Sequence, residues 1–269
     1  RIRAKTGARS DGTLVAREVE LTVDAGAFGD DSPGVMGFSL LMARGPYRIP
    51  HSRSAGTLVY TNRMRFGAFR GFGNPQVAFA TETQIDEIAE RLDMDPFDIR
   101  LKNAVRKGDA WVGGGMVSSN GFVEVLKQAR QASGWDRRHE AKPPRSGKRR
   151  AFGLACASHI SGLLSTGANI RLLEDGSVAL NTGCVDIGQG SDTVLTQICA
   201  EALKIPVEQV SVASPDTDSS PYNWGTTASR VTYMAGRAVV AAAAKVEAEI
   251  KRHAADMLEC DASDLELRS

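Results

Sequence analysis

Long apolar runs, an excess of one charge, and paired metal-ligand residues are all missing from these 269 residues. The longest apolar stretches, such as Ala238 to Ala244, fall far short of the roughly 20 residues that span a bilayer, and no basic-then-apolar leader opens the chain. Lys and Arg number 33 against 32 Asp and Glu, a formal charge of +1, so no field of the whole molecule draws it to nucleic acid or anionic lipid. The reading is a soluble chain with neither a membrane nor a nucleic acid as its partner.

Cysteine occurs only four times, at Cys156, Cys184, Cys199 and Cys260, without Cys-x-x-Cys spacing and in segments that otherwise read as strand or helix. Buried thiols in a reducing, cytoplasmic compartment are expected. An iron–sulfur cluster or structural zinc needs about four ligands, usually in close pairs, which argues against either within this chain. His51, His139, His159 and His253 are scattered, with no His-x-x-x-His pair, and read as surface or packing residues. The chain opens on Arg1 in an apparent strand, Arg1 to Thr6, and closes on alternating Asp264-Leu265-Glu266-Leu267, a second candidate strand. A piece of a longer polypeptide is expected.

What is present predicts two α+β units. Leu14, Val19, Leu21 and Val23 alternate with Glu18, Glu20, Thr22 and Asp24, a half-buried strand after a hairpin turn at Gly7 to Gly12. Gly26 to Gly45 has loop composition, and Gly56 to Asn62 reads as another strand. A loop from Phe66 to Gln76 then enters a helix with Ile85, Ile88, Ala89 and Leu92 on one side. Asp95 suits the cap of a second helix with Pro96 at its first position, and Asn120 caps a third through Ala132. The basic stretch 137–150 breaks all periodicity. It lacks aromatics for base stacking, so it reads as an interdomain linker in preference to an RNA-binding arm. Beyond it come a hairpin over Ala168 to Thr182 with Asp175-Gly176 in the turn, a glycine turn into a helix bearing Val194, Leu195, Ile198 and Leu203, a strand from Val207 to Ala213, and a long helix from Thr226 to Leu258.

Gly188-Gln189-Gly190, ahead of a helix, offers backbone N–H groups and room for close approach, which suits an anion site or a plain strand-to-helix turn equally. Neither the dinucleotide fingerprint nor a phosphate-binding Gly-Lys-Ser/Thr is present. Thr226, Thr227, Ser229 and Arg230 crowd an apparent first helical turn, where hydroxyls serve a cap or a ligand's oxygens. Helix starts after Gly73, Gly190 and Gly225 give one polyanionic ligand three places to bind. Arg70 can fork onto phosphate or a pterin carbonyl. Phe69 reads as a core plug, while Phe72 suits a plug or an exposed stacking platform equally. No carboxylate pair or nucleophile beside a histidine is visible.

At these residues the sequence resembles the xanthine dehydrogenase and aldehyde oxidase family, specifically its molybdopterin-binding large subunit. Gly67-Ala68-Phe69-Arg70-Gly71-Phe72-Gly73-Asn74-Pro75-Gln76 resembles the family's Ala-Phe-Arg-Gly-Phe-Gly-x-Pro-Gln segment, Asp186-Ile187-Gly188-Gln189-Gly190 its cofactor loop, and Thr227-Ala228-Ser229-Arg230-Val231-Thr232 its last phosphate-and-pterin contact. The resemblance implies two molybdopterin-binding lobes with mixed sheets and flanking helices: residues 1–136 from the first, 137–150 as linker and 151–269 from the second. It implies molybdenum on a pterin dithiolene, in bacterial members often as the cytosine dinucleotide, without a protein ligand to the metal. Electrons would leave through [2Fe-2S] clusters to FAD on partner subunits or domains, in a dimer of heteromers. Ala68, Phe69, Arg70 and Gly71 would contact the cofactor near its metal, Phe72 would stack on the substrate, and Gly188, Gln189, Gly190, Ala228, Ser229, Arg230, Val231 and Thr232 would hold pterin and phosphates.

The family's general-base glutamate is expected beyond Ser269 and its Gly-Gly-x-Phe-Gly loop upstream, so no catalytic residue is assigned here and this piece alone is expected to be inactive. Gly71 stands where carbon monoxide dehydrogenases carry cysteine, and Val35 to Met42 lacks the arginine of purine-oxidising members unless Arg44 takes its place. Asp216 to Pro221 with Ser229-Arg230 is more similar to the aromatic CoA and aldehyde branch. Substrates are therefore expected among aromatic heterocycles, aldehydes or aromatic CoA-type compounds. The rival from another class is a non-catalytic nucleotide- or phosphate-binding scaffold.

Overall fold

The computed structural model describes residues 1–140, 147–149, 151–162 and 164–268. They fall into two units, Arg1–His159 and Ile160–Ser269, each with a three-stranded mixed sheet and helices. The architecture is α+β.

In the first unit β1 (Ile2–Ala8) pairs antiparallel with β2 (Leu14–Gly26), and β3 (His51–Tyr60) lies parallel on the other side of β2. Parallel neighbours need a crossover. It runs through α1 (Ser32–Met42), which corrects the expectation of loop over Gly26 to Gly45. Pro33 stands where a helix tolerates it, in the first turn, and Gly34 lies against the Phe72 ring, where a Cβ would meet Cζ at 3.1 Å. Val19, Leu21 and Ala25 line the buried face of β2 together with Arg17. Burial pulls the Arg17 guanidinium down to about 10, and it donates to the carbonyls of Ala43 (3.4 Å) and Arg44 (3.1 Å).

Helix α2 (Asn74–Arg91) buries Val77, Thr81, Ile85 and Ala89, four positions one turn apart, against the core of Leu14, Tyr47, Ile49, Phe97 and Ile99. Complete burial of a side chain such as Ile85 is worth about 1.5–3 kcal/mol. Asp95 caps α3 (Pro96–Asn103) as expected, accepting from Phe97 N at 2.8 Å and from Trp135 Nε1 at 2.9 Å. Asn120 accepts from Phe122 N at the start of α4 (Phe122–Ser133).

The basic stretch is more ordered at its start than a linker requires. Trp135–Glu140 forms a 3-10 turn in which Arg138 lies 4.4 Å from the Trp135 ring centroid and 3.2 Å from Asp95. Residues 141–146 and Arg150 lie outside the described residues. The division between the units falls after His159, nine residues beyond the expected linker end, because 151–159 packs into the first unit: Cys156 joins its core and Leu154 O accepts from Arg100 at 3.0 Å.

In the second unit β4 (Ala168–Leu172) and β5 (Val178–Thr182) form the expected hairpin, and β6 (Val210–Val212) lies parallel to β5 beyond the crossover helix α5 (Ser191–Leu203). Val178, Leu180, Leu195, Cys199, Val239 and Ala243 form its core. The strand expected from Val207 begins only at Val210, after a 3-10 turn at Val207–Gln209. The long helix starts late: a π turn occupies Val231–Ala235 and α6 spans Gly236–Leu258. No strand forms at Asp264 to Leu267, where a 3-10 turn at Ala262–Asp264 leads into extended chain. Cys156, Cys184 and Cys199 are buried as expected, but Cys260 is exposed past the end of α6.

Candidate functional site

The loop from Phe66 to Gly73 enters α2 through three consecutive left-handed residues, Gly71 (φ 92°), Phe72 (φ 47°) and Gly73 (φ 90°). Glycine adopts this region without penalty, whereas Phe72 is strained there. A Cβ at Gly73 would overlap Ser39 Oγ and lie 2.5 Å from Val35 O, so the backbone rests on α1 as only glycine allows. Ser39 Oγ donates to Gly73 O at 3.0 Å, Ser32 Oγ donates to Phe66 O, and Asn74 Nδ2 donates to Ser158 O at 2.7 Å. The loop is thus pinned at both ends.

Between the pins its middle faces outward. Ala68, Phe69 and Arg70 are exposed, and Arg70 makes no hydrogen bond or ion pair among the described residues. Phe69 is 83% exposed, which corrects its reading as a core plug; Phe72 is the half-buried ring, edge-on to Phe38 at 6.1 Å between centroids. The left-handed turn reverses the chain between the two rings, an inversion that composition does not register. Arg44, the alternative purine-site arginine, donates to the carbonyls of Tyr47 and Ala110.

Behind this loop, α2 carries a buried network that the sequence reading missed. Glu82 accepts from Tyr47 Oη (2.7 Å), Arg100 Nε (3.0 Å) and Cys156 N (2.8 Å), while Arg100 also reaches Asp86 at 2.8 Å. Burial first, then the Glu82 charge, push the Tyr47 hydroxyl far above its ordinary range, and burial raises the Cys156 thiol to about 11. A glutamate inside the helix's buried stripe was the available signal.

In the second unit the cofactor-loop motif lies beside the last motif. Thr226 Oγ1 donates to Val185 O at 2.8 Å and accepts from Val185 N at 3.0 Å, and Asn223 Nδ2 donates to Gly183 O at 2.9 Å. The free N–H groups expected at Gly188 and Gly190 are engaged from within. The Asp186 carboxylate accepts from Gly188 N (2.8 Å), Gly190 N (3.3 Å) and Asp192 N (3.2 Å), and these backbone contacts, Gly188 first, hold it below the usual carboxylate range. Gln189 turns back likewise, accepting from Ile187 N and donating to Val185 O. Asp186 occupies the anion's place at this helix start.

Thr226, Thr227, Ser229 and Arg230 precede the helix and do not form its first turn. Ala228 and Ser229 both have φ 50°, two adjacent non-glycine residues in the left-handed region. Such strain, and π turns like Val231–Ala235, concentrate at functional sites. Arg230, read as a surface residue or a ligand contact, is 1% exposed; its guanidinium donates to Asn223 Oδ1 and to the carbonyls of Gly225 and Ser165. It braces the loop from inside, while Ser229 and Thr232 face outward.

In the first unit Arg70 is a cation without a partner among the described residues. In the second unit Ser191 Oγ, directly after Gly190, is buried without a partner, and nothing stands within 4 Å of where a Cβ would sit on Gly188 or Gly190, which leaves room for an oxygen-rich ligand beside that turn. Among the described residues no three His, Cys, Asp or Glu side chains gather as a metal site, and no helix is long and apolar enough to cross a membrane.

Two mixed α+β units, with glycine-led starts at α2 and α5 and strained non-glycine residues in the loops before α2 and before the π turn, carry the three ordered motifs of a cofactor-binding protein. The molybdopterin cofactor-binding domain models match residues 1–104 and 128–269, and the chain belongs to that family, as part of a large subunit of the xanthine dehydrogenase and aldehyde oxidase type. It is 37% identical over 279 aligned residues to the xanthine dehydrogenase molybdenum-binding subunit of Escherichia coli O157:H7, covering 99% of this chain and 36% of that protein. To the aldehyde oxidoreductase of Megalodesulfovibrio gigas it is 31% identical over 87% of this chain and 27% of that protein. The crystal structure of a Cu,Mo-CO dehydrogenase superposes with a TM-score of 0.86 at 30% identity, covering 98% of this chain and 37% of that one. The chain thus spans about a third of the length of the curated relatives it matches.

Proposed function

We propose that this chain supplies the cofactor-holding part of a molybdenum hydroxylase large subunit that oxidises an aromatic heterocycle, an aldehyde or an aromatic CoA-type compound. The observation that carries the reading is the coincidence of local strain with motif: Phe72, Ala228 and Ser229, all non-glycine residues at positive φ, lie within the segments that resemble the family's cofactor contacts. When bound, the molybdenum pterin supplies the two-electron oxidation of a substrate carbon.

The chain's own residues bind and orient. In the first unit Arg70 offers a fork of donors to the metal end of the cofactor, with the backbone of Ala68 to Gly71 around it. Phe69, the exposed ring, is a better stacking surface there than the half-buried Phe72. In the second unit Gly188, Gly190 and Gln189 supply close backbone approach, Ser191 Oγ an uncommitted hydroxyl, and Ser229 and Thr232 exposed hydroxyls beside Ala228 and Val231. Arg230 acts through the loop it braces. The cytosine dinucleotide form, [2Fe-2S] and FAD partners, assembly as a dimer of heteromers and a cytoplasmic location belong to the same proposal; of these, the match to subunits of molybdenum hydroxylases supports the iron–sulfur and flavin partners.

The test is to isolate the full-length parent protein without denaturation, measure molybdenum per chain, and look for pterin fluorescence after oxidative release. Stoichiometric molybdenum and pterin are expected. A non-catalytic phosphate-binding scaffold would release neither, and that result would overturn the reading.

A further inference from the structure

In the first unit the start of β2, the connection from α1 to β3 and the end of α3 enclose a cavity of about 540 Å³. Part of its wall is apolar, from Leu14, Ile49 and Pro50. Three cations, Arg44, Arg48 and Lys102, line the rest against a single carboxylate, Asp109. No residue of the three motifs takes part, so the cavity lies outside the functional reading above and does not depend on it.

The two guanidinium groups are held by main-chain oxygens, which fix a cation in place without neutralising it. Arg44 donates through Nε to Tyr47 O and through Nη1 to Ala110 O, each at 3.1 Å, and has no carboxylate partner among the described residues. Arg48 donates through Nη2 to Lys102 O at 2.8 Å. Asp109 stands 3.8 Å from Arg48 Nε, beyond hydrogen-bond reach, and its Oδ2 already accepts from Arg106 N at 2.7 Å. Lys102 meets Asp11 at 3.2 Å, where both side chains are open to solvent and the pair is screened. A guanidinium carries several N–H donors in a rigid fork, so each arginine keeps donors for a ligand's oxygens beyond those used on carbonyls.

The wall behind these forks is rigid. Asn103 Oδ1 accepts from Leu14 N at 2.9 Å, and its Nδ2 donates to Gly12 O and Ile99 O, both at 2.8 Å, which locks β2 to α3. Binding therefore needs little reordering of the protein.

We propose that this cavity binds a short-chain dicarboxylate, with one carboxylate on the fork of Arg44, the other on that of Arg48, and the methylenes between them on Leu14, Ile49 and Pro50. Two separately anchored forks suit two planar carboxylates better than one tetrahedral phosphate. The apolar wall would serve no purpose toward an inorganic ion.

Calorimetric titration of the full-length protein with succinate tests the site, with butyrate, of the same chain length but one charge fewer, and inorganic phosphate as comparisons. Succinate is expected to bind at least about tenfold more tightly than butyrate, the scale of one charge-assisted contact, and more tightly than phosphate. Arg48→Gln, at an exposed side chain, is expected to weaken succinate by about tenfold or more, and Arg48→Lys by less. Asp109→Asn removes the negative charge of the lining while keeping an acceptor for Arg106 N, and is expected to tighten binding. No binding to wild type, unchanged affinity in Arg48→Gln, weaker affinity in Asp109→Asn, or phosphate as the tighter ligand overturns the proposal. Should Arg48→Gln melt early, the Asp109→Asn shift and the succinate-to-butyrate ratio still decide it.

Discussion

Arg100 Nε lies 3.0 Å from Glu82 Oε2, with the two side chains 0% and 5% exposed. The pair ties α3 to α2, the helix whose first turn follows Arg70 and Phe72. Glu82→Ala leaves the buried Arg100 only the exposed Asp86 as a counter-charge, and Arg100→Ala leaves Glu82 only the neutral donors of Tyr47 and Cys156, so either change is expected to cost about 3 kcal/mol, the lower end of the range for a broken buried pair. The double replacement Glu82→Leu with Arg100→Met should recover much of that loss. Urea unfolding of the three proteins measures it, and additive losses in the double variant would contradict the pairing.

The two phenylalanines of the first motif should separate cleanly in stability. Phe69→Ser, at an exposed ring, is expected to shift unfolding free energy by less than about 0.5 kcal/mol. Phe72→Ala removes a ring packed on Phe38 and Gly34 and is expected to cost about 2 kcal/mol, below the full-core range because the ring is half-buried. Thermal melts that reverse this order would show that the loop sits the other way round.

Acid should loosen the loop that Asp186 holds. Its carboxyl is held below the ordinary range by the amides of Gly188, Asp192 and Gly190, so its contribution to folding is complete above the unfolded-state value and fades as pH falls through the folded one. Amide exchange at Gly188 and Gly190 is expected to quicken, relative to β5, as pH falls below the usual carboxylate range. Asp186→Asn should produce the same acceleration near neutrality. Unchanged protection in that variant would remove Asp186 from its capping role.

Arg70 gives the opposite pattern. Being exposed and unpaired, its replacement by alanine is expected to leave stability within about 0.5 kcal/mol. In the full-length protein the same change should lower molybdenum occupancy or turnover by about tenfold or more, the scale of one charge-assisted hydrogen bond. Full metal content together with wild-type turnover would exclude the contact.

Where side-chain periodicity and turn chemistry decide the structure, the sequence was readable. Val178, Leu180 and Thr182 alternate into the core around an Asp-Gly turn, and Asp95-Pro96 opens α3 as capping rules dictate. Helix α1 was hidden because Pro33, Gly34 and Gly37 give it loop composition; of the two glycines, Gly34 serves close packing with Phe72, a tertiary fact. The hydroxyl-rich Thr226 to Ser229 imitated a helix cap, since nothing local announces that Ala228 and Ser229 adopt φ 50°. The self-capping of Asp186 was within reach: Asp-x-Gly places a carboxylate two residues before an amide, the spacing of an Asx turn. Of the Tyr47–Glu82–Arg100 network only Glu82 left a signal, a carboxylate in the buried stripe of α2; its partners could not be read because they lie far apart in the chain.

The fit of Gly73 against Val35 and Ser39 makes the crossover helix a rudder for the arginine loop. Any tilt of α1 that moves Ser39 must drag the turn with it, since no space remains to absorb the motion. A single methyl at position 73 would therefore act at a distance, redirecting the Arg70 guanidinium without touching it.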